Sequence, residues 1–320
     1  MSPRARVFSL VVLAAVVASG VVVIGVLATR NDVPAPQLRP GRPPLALDLG
    51  LRTDPEARAL ERAQGLYNAG RPNRAAAVFR GRRSLEAQVG AALADWPDGS
   101  VARLRALAAS HPRSALAALH LGLALYWSNR DAEATVAWRA ATAVQPYTPY
   151  AVRASDFLHP RFAPGLPIFV PSFPTPLRIR VLAPQRQLQA LAVAATDGGA
   201  DAKILYGVAL QRLGRPRSAE AQFAASARLA PTDPEARAAA AVGLFDKADP
   251  SLAFGRLGPL TRTFPHAQTV RFHLGLMLLW MAQVSQARKE LRLAQAENPE
   301  SPLGKQASAY LGAIRSFGTR

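Results

Sequence analysis

Along its 320 residues the chain changes the rule by which apolar and polar positions alternate. Residues 7–28 are almost wholly apolar and carry no charge, between Arg4 and Arg6 on one side and Arg30 on the other. Residues 29–52 lose all periodicity and hold Pro34, Pro36, Pro40, Pro43 and Pro44. From residue 53 apolar residues return three and four positions apart, in runs of helix length broken by short polar turns, which is the period of amphipathic helices. Residues 147–184 interrupt that period. Pro160, Pro164, Pro167, Pro171, Pro174, Pro176 and Pro184 are too dense for any helix, yet Phe162, Leu166, Ile168, Phe169, Val170 and Phe173 make the stretch apolar. An exposed apolar segment is a liability, so this one is expected to be packed, as a crossover between halves or as an arm for a partner. Leu177 to Val181 alternates and is expected to form one short strand.

A helix of about 20 apolar residues spans a hydrocarbon core of roughly 30 Å. The apolar region of a secretory signal is shorter, at about 7–15 residues. Residues 7–28 therefore read as an uncleaved transmembrane signal-anchor, with a cleaved signal as the alternative. Basic residues are nearly balanced on its two sides, but a short basic N-terminus before a first apolar helix leaves the bulk outside the cytoplasm. The expectation is a single-pass cell-membrane protein with an extracytoplasmic domain, touching the bilayer through residues 7–28. Residues 29–52 read as an extended, semi-rigid spacer, because proline fixes φ and removes donors.

The helical part repeats itself. Pro231, Pro265 and Pro299 fall 34 residues apart, as do Pro112 and Pro146, each after an apolar run that must stop there. A shift of 153 residues lays His120-Leu121-Gly122-Leu123 on His273-Leu274-Gly275-Leu276, Trp127 on Trp280 and Ala134 on Ala287. An internal duplication is the natural account. Thr53-Asp54-Pro55-Glu56 and Thr232-Asp233-Pro234-Glu235 both offer an N-cap Asp followed by Pro at the first helical position.

A 34-residue unit with small residues where two helices cross resembles the tetratricopeptide repeat family. The small crossing residue matches Gly122, Gly207 and Gly275, and its large neighbour Leu121, Tyr206 and Leu274. The alanine of the second helix matches Ala134, Ala219 and Ala287. The large residue one turn later matches Trp138, Phe223 and Leu291, and the closing proline Pro146, Pro231 and Pro299. The resemblance implies an all-α, tetratricopeptide-like α-solenoid of helix-turn-helix repeats. With the flanking segments, the expected order is a basic N-terminus (1–6), the transmembrane helix (7–28), the spacer (29–52), a first helical-repeat half (53–146), the proline-rich insertion (147–184), a second half (185–302), and a capping helix with tail (303–320).

Composition adds limits. Apolar residues are 49% and charged ones 19%, a globular balance. The absence of cysteine excludes disulfides, thiolate metal sites and cysteine nucleophiles. The net charge of +18 is almost all scattered arginine, without a tight basic run. It fits either arginine-rich base composition or an anionic partner. A nucleic-acid partner has only this charge in its favour and would need the cytoplasmic orientation, so it is disfavoured.

No HExxH, GxxxxGK[ST], GxSxG, EF-hand loop or dinucleotide fingerprint is present. No catalytic or metal residue is assigned, and no cofactor is expected. His120 and His273 are equivalent under the duplication and read as register residues. His111 and His266 sit at helix ends, where a cation suits the dipole. In the tetratricopeptide family the first helices line a concave groove for extended peptides. The matching positions here are Leu119, Leu123, Tyr126 and Trp127, and Phe272, Leu276 and Trp280. They form an apolar groove for a peptide or helix, or else they are core or lie beneath the insertion. The leading expectation is a non-enzymatic scaffold for a protein or peptide partner. An envelope assembly factor of the cytochrome c maturation or secretion type is the alternative, by analogy of layout. An enzyme using Asp156, His159 and Arg161 of the insertion is the minor one.

Overall fold

The computed structural model describes residues 38–318. The expected membrane segment and the basic N-terminus lie outside the described residues, among which no helix is long and apolar enough to cross a membrane. The described residues form two compact units, one ending at Leu158 and the other beginning at His159.

The first unit is a row of helical hairpins: α1 (Pro55–Asn68) with α2 (Pro72–Arg80), α3 (Leu85–Ala94) with α4 (Ser100–Ser110), and α5 (Ala115–Trp127) with α6 (Asp131–Val144), closed by α7 (Pro149–Leu158). The first helices start on side-chain caps. Asp54 accepts the Ala57 N–H at 2.9 Å, Ser84 that of Ala87 at 3.4 Å, and Ser114 that of Ala117 at 3.2 Å. Each cap satisfies an otherwise orphaned donor. The second unit repeats the plan. It carries a single turn α8 (Leu177–Arg180), a helix α9 (Pro184–Asp197), and the hairpins α10 (Ala200–Arg212) with α11 (Pro216–Leu229), α12 (Pro234–Gly243) with α13 (Ser251–Leu257) and α14 (Leu260–Thr263), and α15 (Gln268–Trp280) with α16 (Val284–Glu297). It is closed by α17 (Pro302–Gly318).

Four of the six described hairpins close in one way. Gly70, Asn129, Gly214 and Ala282 each take the left-handed conformation after a first helix, with φ of 73°, 57°, 65° and 58°. The next N–H then reaches back into the helix: Arg71 to Leu66 O, Arg130 to Leu125 O and Arg215 to Leu210 O at 2.9 Å, and Gln283 to Leu278 O at 2.8 Å. That is the Schellman closure. Ala282 adopts it at a steric cost that glycine avoids.

In three of the hairpins the backbones meet at a residue with no side chain. A methyl on Gly122 would lie 2.4 Å from the Trp138 indole, one on Gly207 2.4 Å from the Phe223 ring, and one on Gly275 2.8 Å from Leu291 Cγ. The first helix is therefore fitted to the large residue of the second, which fills the core between them.

The proline-rich stretch divides differently from the expected insertion. Its first part is α7, whose Pro149 precedes the Pro302 of α17 by the same 153 residues that relate the hairpins. Hence α7 is the closing helix of the first unit, its Phe157 stacked on Trp138 at 4.7 Å. The expected strand at Leu177 to Val181 is the helical turn α8. The Pro176 carbonyl accepts the N–H groups of Ile179 and Arg180 at 2.9 and 3.0 Å, whereas an isolated strand would have left its backbone groups without partners.

Candidate functional site

In each unit an extended segment of the chain lies as a strap against the first helices. Residues 38–50 form the first strap and residues 159–176 the second. The expected spacer is thus docked from residue 38 onward. Pro43 and Leu45 are buried in the first strap, and Ala163, Pro167 and Phe169 in the second, while the residues between are only partly covered. That is the period-two burial of extended backbone.

The two straps are held alike. The Arg39 N–H donates to the Trp127 carbonyl at the end of α5 at 2.9 Å, and the Ala163 N–H to the Trp280 carbonyl at the end of α15 at 3.0 Å. Seven residues on, the Ala46 N–H donates to His120 Nε2 at 3.2 Å, and the Val170 N–H to His273 Nε2 at 2.9 Å. The Pro43 carbonyl accepts from the Tyr67 hydroxyl at 2.6 Å, and the Pro167 carbonyl from Gln211 Nε2 at 3.5 Å. Further amides reach side chains on other helices: Leu47 to Gln64 at 2.7 Å, Asp48 to the Tyr150 hydroxyl at 2.8 Å, Phe169 to Gln211 at 2.8 Å, and Ser172 to Glu235 at 2.7 Å. Burial of Glu235 raises its pKa, against the lowering effect of the bonds from Ser172.

The two buried histidines are the hinge of this recognition. His120 Nδ1 lies 2.8 Å from the Leu116 carbonyl and His273 Nδ1 2.7 Å from the Thr269 carbonyl. A carbonyl can only accept, so Nδ1 carries the proton and Nε2 presents a lone pair to the strap amide. Both rings are fully buried. Desolvation pushes the His120 pKa down to about 4 and that of His273 to about 3.

In the first unit the groove-facing register is offset from the expected one. Leu119 and Leu123 are fully buried in the core with Ala134 and Trp138 of α6. Leu45 instead packs into a cluster with Leu60, Tyr67, Leu116 and Ala124. Tyr126 and Trp127 are half-buried and meet the start of the strap, the Arg39 guanidinium lying 3.4 Å from the Tyr126 ring centroid. Phe272, Leu276 and Trp280 are buried in one cluster with Ala163 and Phe169 of the second strap. The residues missed from the sequence are Gln64, Tyr67, His120, Tyr150, Gln211, Glu235 and His273. The available signal was Arg39-Pro40-Gly41-Arg42-Pro43 recurring as Ala163-Pro164-Gly165-Leu166-Pro167, 124 residues on. Both glycines have positive φ, 87° at Gly41 and 72° at Gly165, so the motif bends its strap at a place that favours glycine.

Asp156 lies in the first unit, whereas His159 and Arg161 belong to the second, where His159 stacks on Phe162 at 5.9 Å. Among the described residues no cluster of three or more His, Asp or Glu side chains could hold a metal ion.

These features define a tetratricopeptide-like protein whose helical hairpins hold extended polypeptide. No protein-family model matches the chain, and no curated protein does. Among solved structures, YrrB, described as a TPR protein with an unusual peptide-binding site, is 14% identical over 64% of this chain and 97% of its own, with a TM-score of 0.31. The APC/C hetero-tetramer Cut9–Hcn1 is 15% identical over 81% of this chain and 55% of its own, with a TM-score of 0.28. At such scores the tetratricopeptide-like description rests on the chain's own hairpins, crossing glycines and 34-residue period.

Proposed function

We propose that this chain is a scaffold that binds extended protein or peptide segments, held at the cell membrane by residues 7–28 with its hairpin units outside the cytoplasm. One observation supports the binding reading above the rest. In both units, side chains of the hairpin helices accept the backbone amides of an extended segment. Bonds to backbone groups give affinity without demanding a particular side chain, and apolar pockets such as those of Leu45 and Phe169 add selectivity. Extended proline-rich polypeptide is a favourable ligand, because its conformation is set before binding. The anchor reading is supported by the length and flanks of residues 7–28.

The binding reading is tested by overlaying the full-length protein on an array of unrelated extended peptides. Saturable binding of a subset is expected, and a blank array removes it. The location is tested by fusing a periplasm-active and a cytoplasm-active reporter after Arg320. Activity of the first alone is expected, and activity of the second alone reverses the orientation.

A further inference from the structure

The straps share little side-chain chemistry. Arg39 answers Ala163, Arg42 answers Leu166, Leu45 answers Phe169 and Asp48 answers Ser172. Yet both run in the same direction, bend at a Pro-Gly, bury the proline two residues after that glycine and then an apolar residue, and give one amide to a buried histidine. Two different sequences are thus seated by one Pro-Gly-x-Pro-x-apolar pattern of backbone geometry. We infer that the groove of the first unit is a binding site for a partner protein's segment of this form, and that the resident strap 38–50 is a ligand in cis which the partner displaces. The inference rests on the scaffold reading above and gives it a ligand class.

The first groove is the exchangeable one. Its strap is anchored by Leu45 where the second buries the aromatic ring of Phe169. Much of its hold is polar and only part-buried: the Arg39 ion pair with Asp131, an acid 62% exposed, and amides bonded to Gln64 and Tyr150. Water and an incoming segment can replace such bonds singly, so exchange need not expose the whole groove at once. An occupied groove binds with an affinity reduced by the fraction of time it stands open. Weakening the strap must therefore tighten binding of an external peptide.

The test uses the full chain and a labelled synthetic peptide with the sequence of residues 38–49. Leu45→Ala is expected to bind the peptide at least about thirtyfold more tightly than the wild type, while the same peptide carrying alanine in place of Pro43 and Leu45 does not compete. In the wild type, saturating peptide is expected to speed hydrogen exchange at the Ala46, Leu47 and Asp48 amides and leave Leu60 and Leu93 unchanged. This readout decides the matter if Leu45→Ala fails to fold. A folded variant that ignores the peptide, strap amides that exchange as slowly as the core with peptide present, or dimers formed by strap exchange between copies would each overturn the inference. A negative result here beside a positive array places peptide binding elsewhere on the molecule, whereas two negatives remove the scaffold reading itself.

Discussion

The two units solve one problem with different materials. Each must hold an extended strap against its first helices, and each uses a terminal helix carbonyl and a buried histidine to receive strap amides. The first unit adds charge: Arg39 donates to Asp131 at 2.9 Å and lies over the Tyr126 ring. The second adds apolar mass: Phe169 is fully buried, stacked on His273 at 4.1 Å and 5.8 Å from Phe223. A half-exposed ion pair and cation–π contact stabilise by about 1 kcal/mol or less, whereas a fully buried aromatic side chain contributes several times that. The shared element is backbone recognition, and the differing element sets how firmly the strap stays.

The largest expected effect tests this directly. Phe169→Ala is expected to destabilise the second unit by about 3–5 kcal/mol, and Leu45→Ala the first by about 2–3 kcal/mol. Both are read from hydrogen exchange resolved by unit, and equal losses would erase the contrast. Acid comes next and tests what is shared. A histidine whose folded pKa is depressed holds the fold fully above its ordinary 6.5 and loses that contribution as pH falls toward about 4 for His120 and about 3 for His273. Each unit should therefore lose on the order of 3 kcal/mol between neutral pH and pH 4. Protonation at Nε2 also replaces the acceptor with a donor facing the strap amide, so the straps should loosen first. Replacing His120 with Gln should flatten the acid loss in the first unit only, and an unchanged profile there would show that its histidine is not the sensor.

Smaller effects separate the hairpins. Gly122→Ala drives a methyl into the broad indole of Trp138 and is expected to cost about 2–3 kcal/mol, while Gly275→Ala meets the more adaptable Leu291 and is expected to cost about 1 kcal/mol. Urea denaturation followed by unit-resolved exchange checks the order. The smallest effect is a gain. Ala282→Gly relieves a left-handed alanine and should stabilise the second unit by about 1 kcal/mol. Asn129→Gly at the equivalent turn should change little, because asparagine tolerates that conformation. A thermal midpoint that fails to rise for Ala282→Gly would mean that the turn has relaxed some other way.

Much of the helical architecture was legible in the residues, and the site was not. The crossing glycines Gly122, Gly207 and Gly275 and their partners Trp138, Phe223 and Leu291 stand out because each unit must repeat the same close approach. The groove was harder. Of the two readings of Leu119 and Leu123, groove-lining or core, the structure has the second, since the strap meets Leu116 and His120 on α5. Apolar residues on both sides of a helix look the same in a pattern when one side packs within the hairpin and the other packs under a strap. The histidines repeat, which register alone accounts for; that each aims a lone pair at an amide depends on a segment distant in sequence.

Within the repeated hairpins the chain by itself determined which stretches become helices, where they start and stop, and how closely each pair approaches; α7 and α8, read from the sequence as irregular or extended, are the exceptions. Those choices depend on neighbours within one 34-residue unit: a capping Asp or Ser, a glycine at a crossing, a proline after a helix. Proline content likewise determined that residues 38–50 and 159–176 are extended. Only the tertiary structure decided where they rest, because an extended segment satisfies none of its own amides and must find acceptors on helices that the chain brings to it from as far as Tyr150 for Asp48 and His273 for Val170.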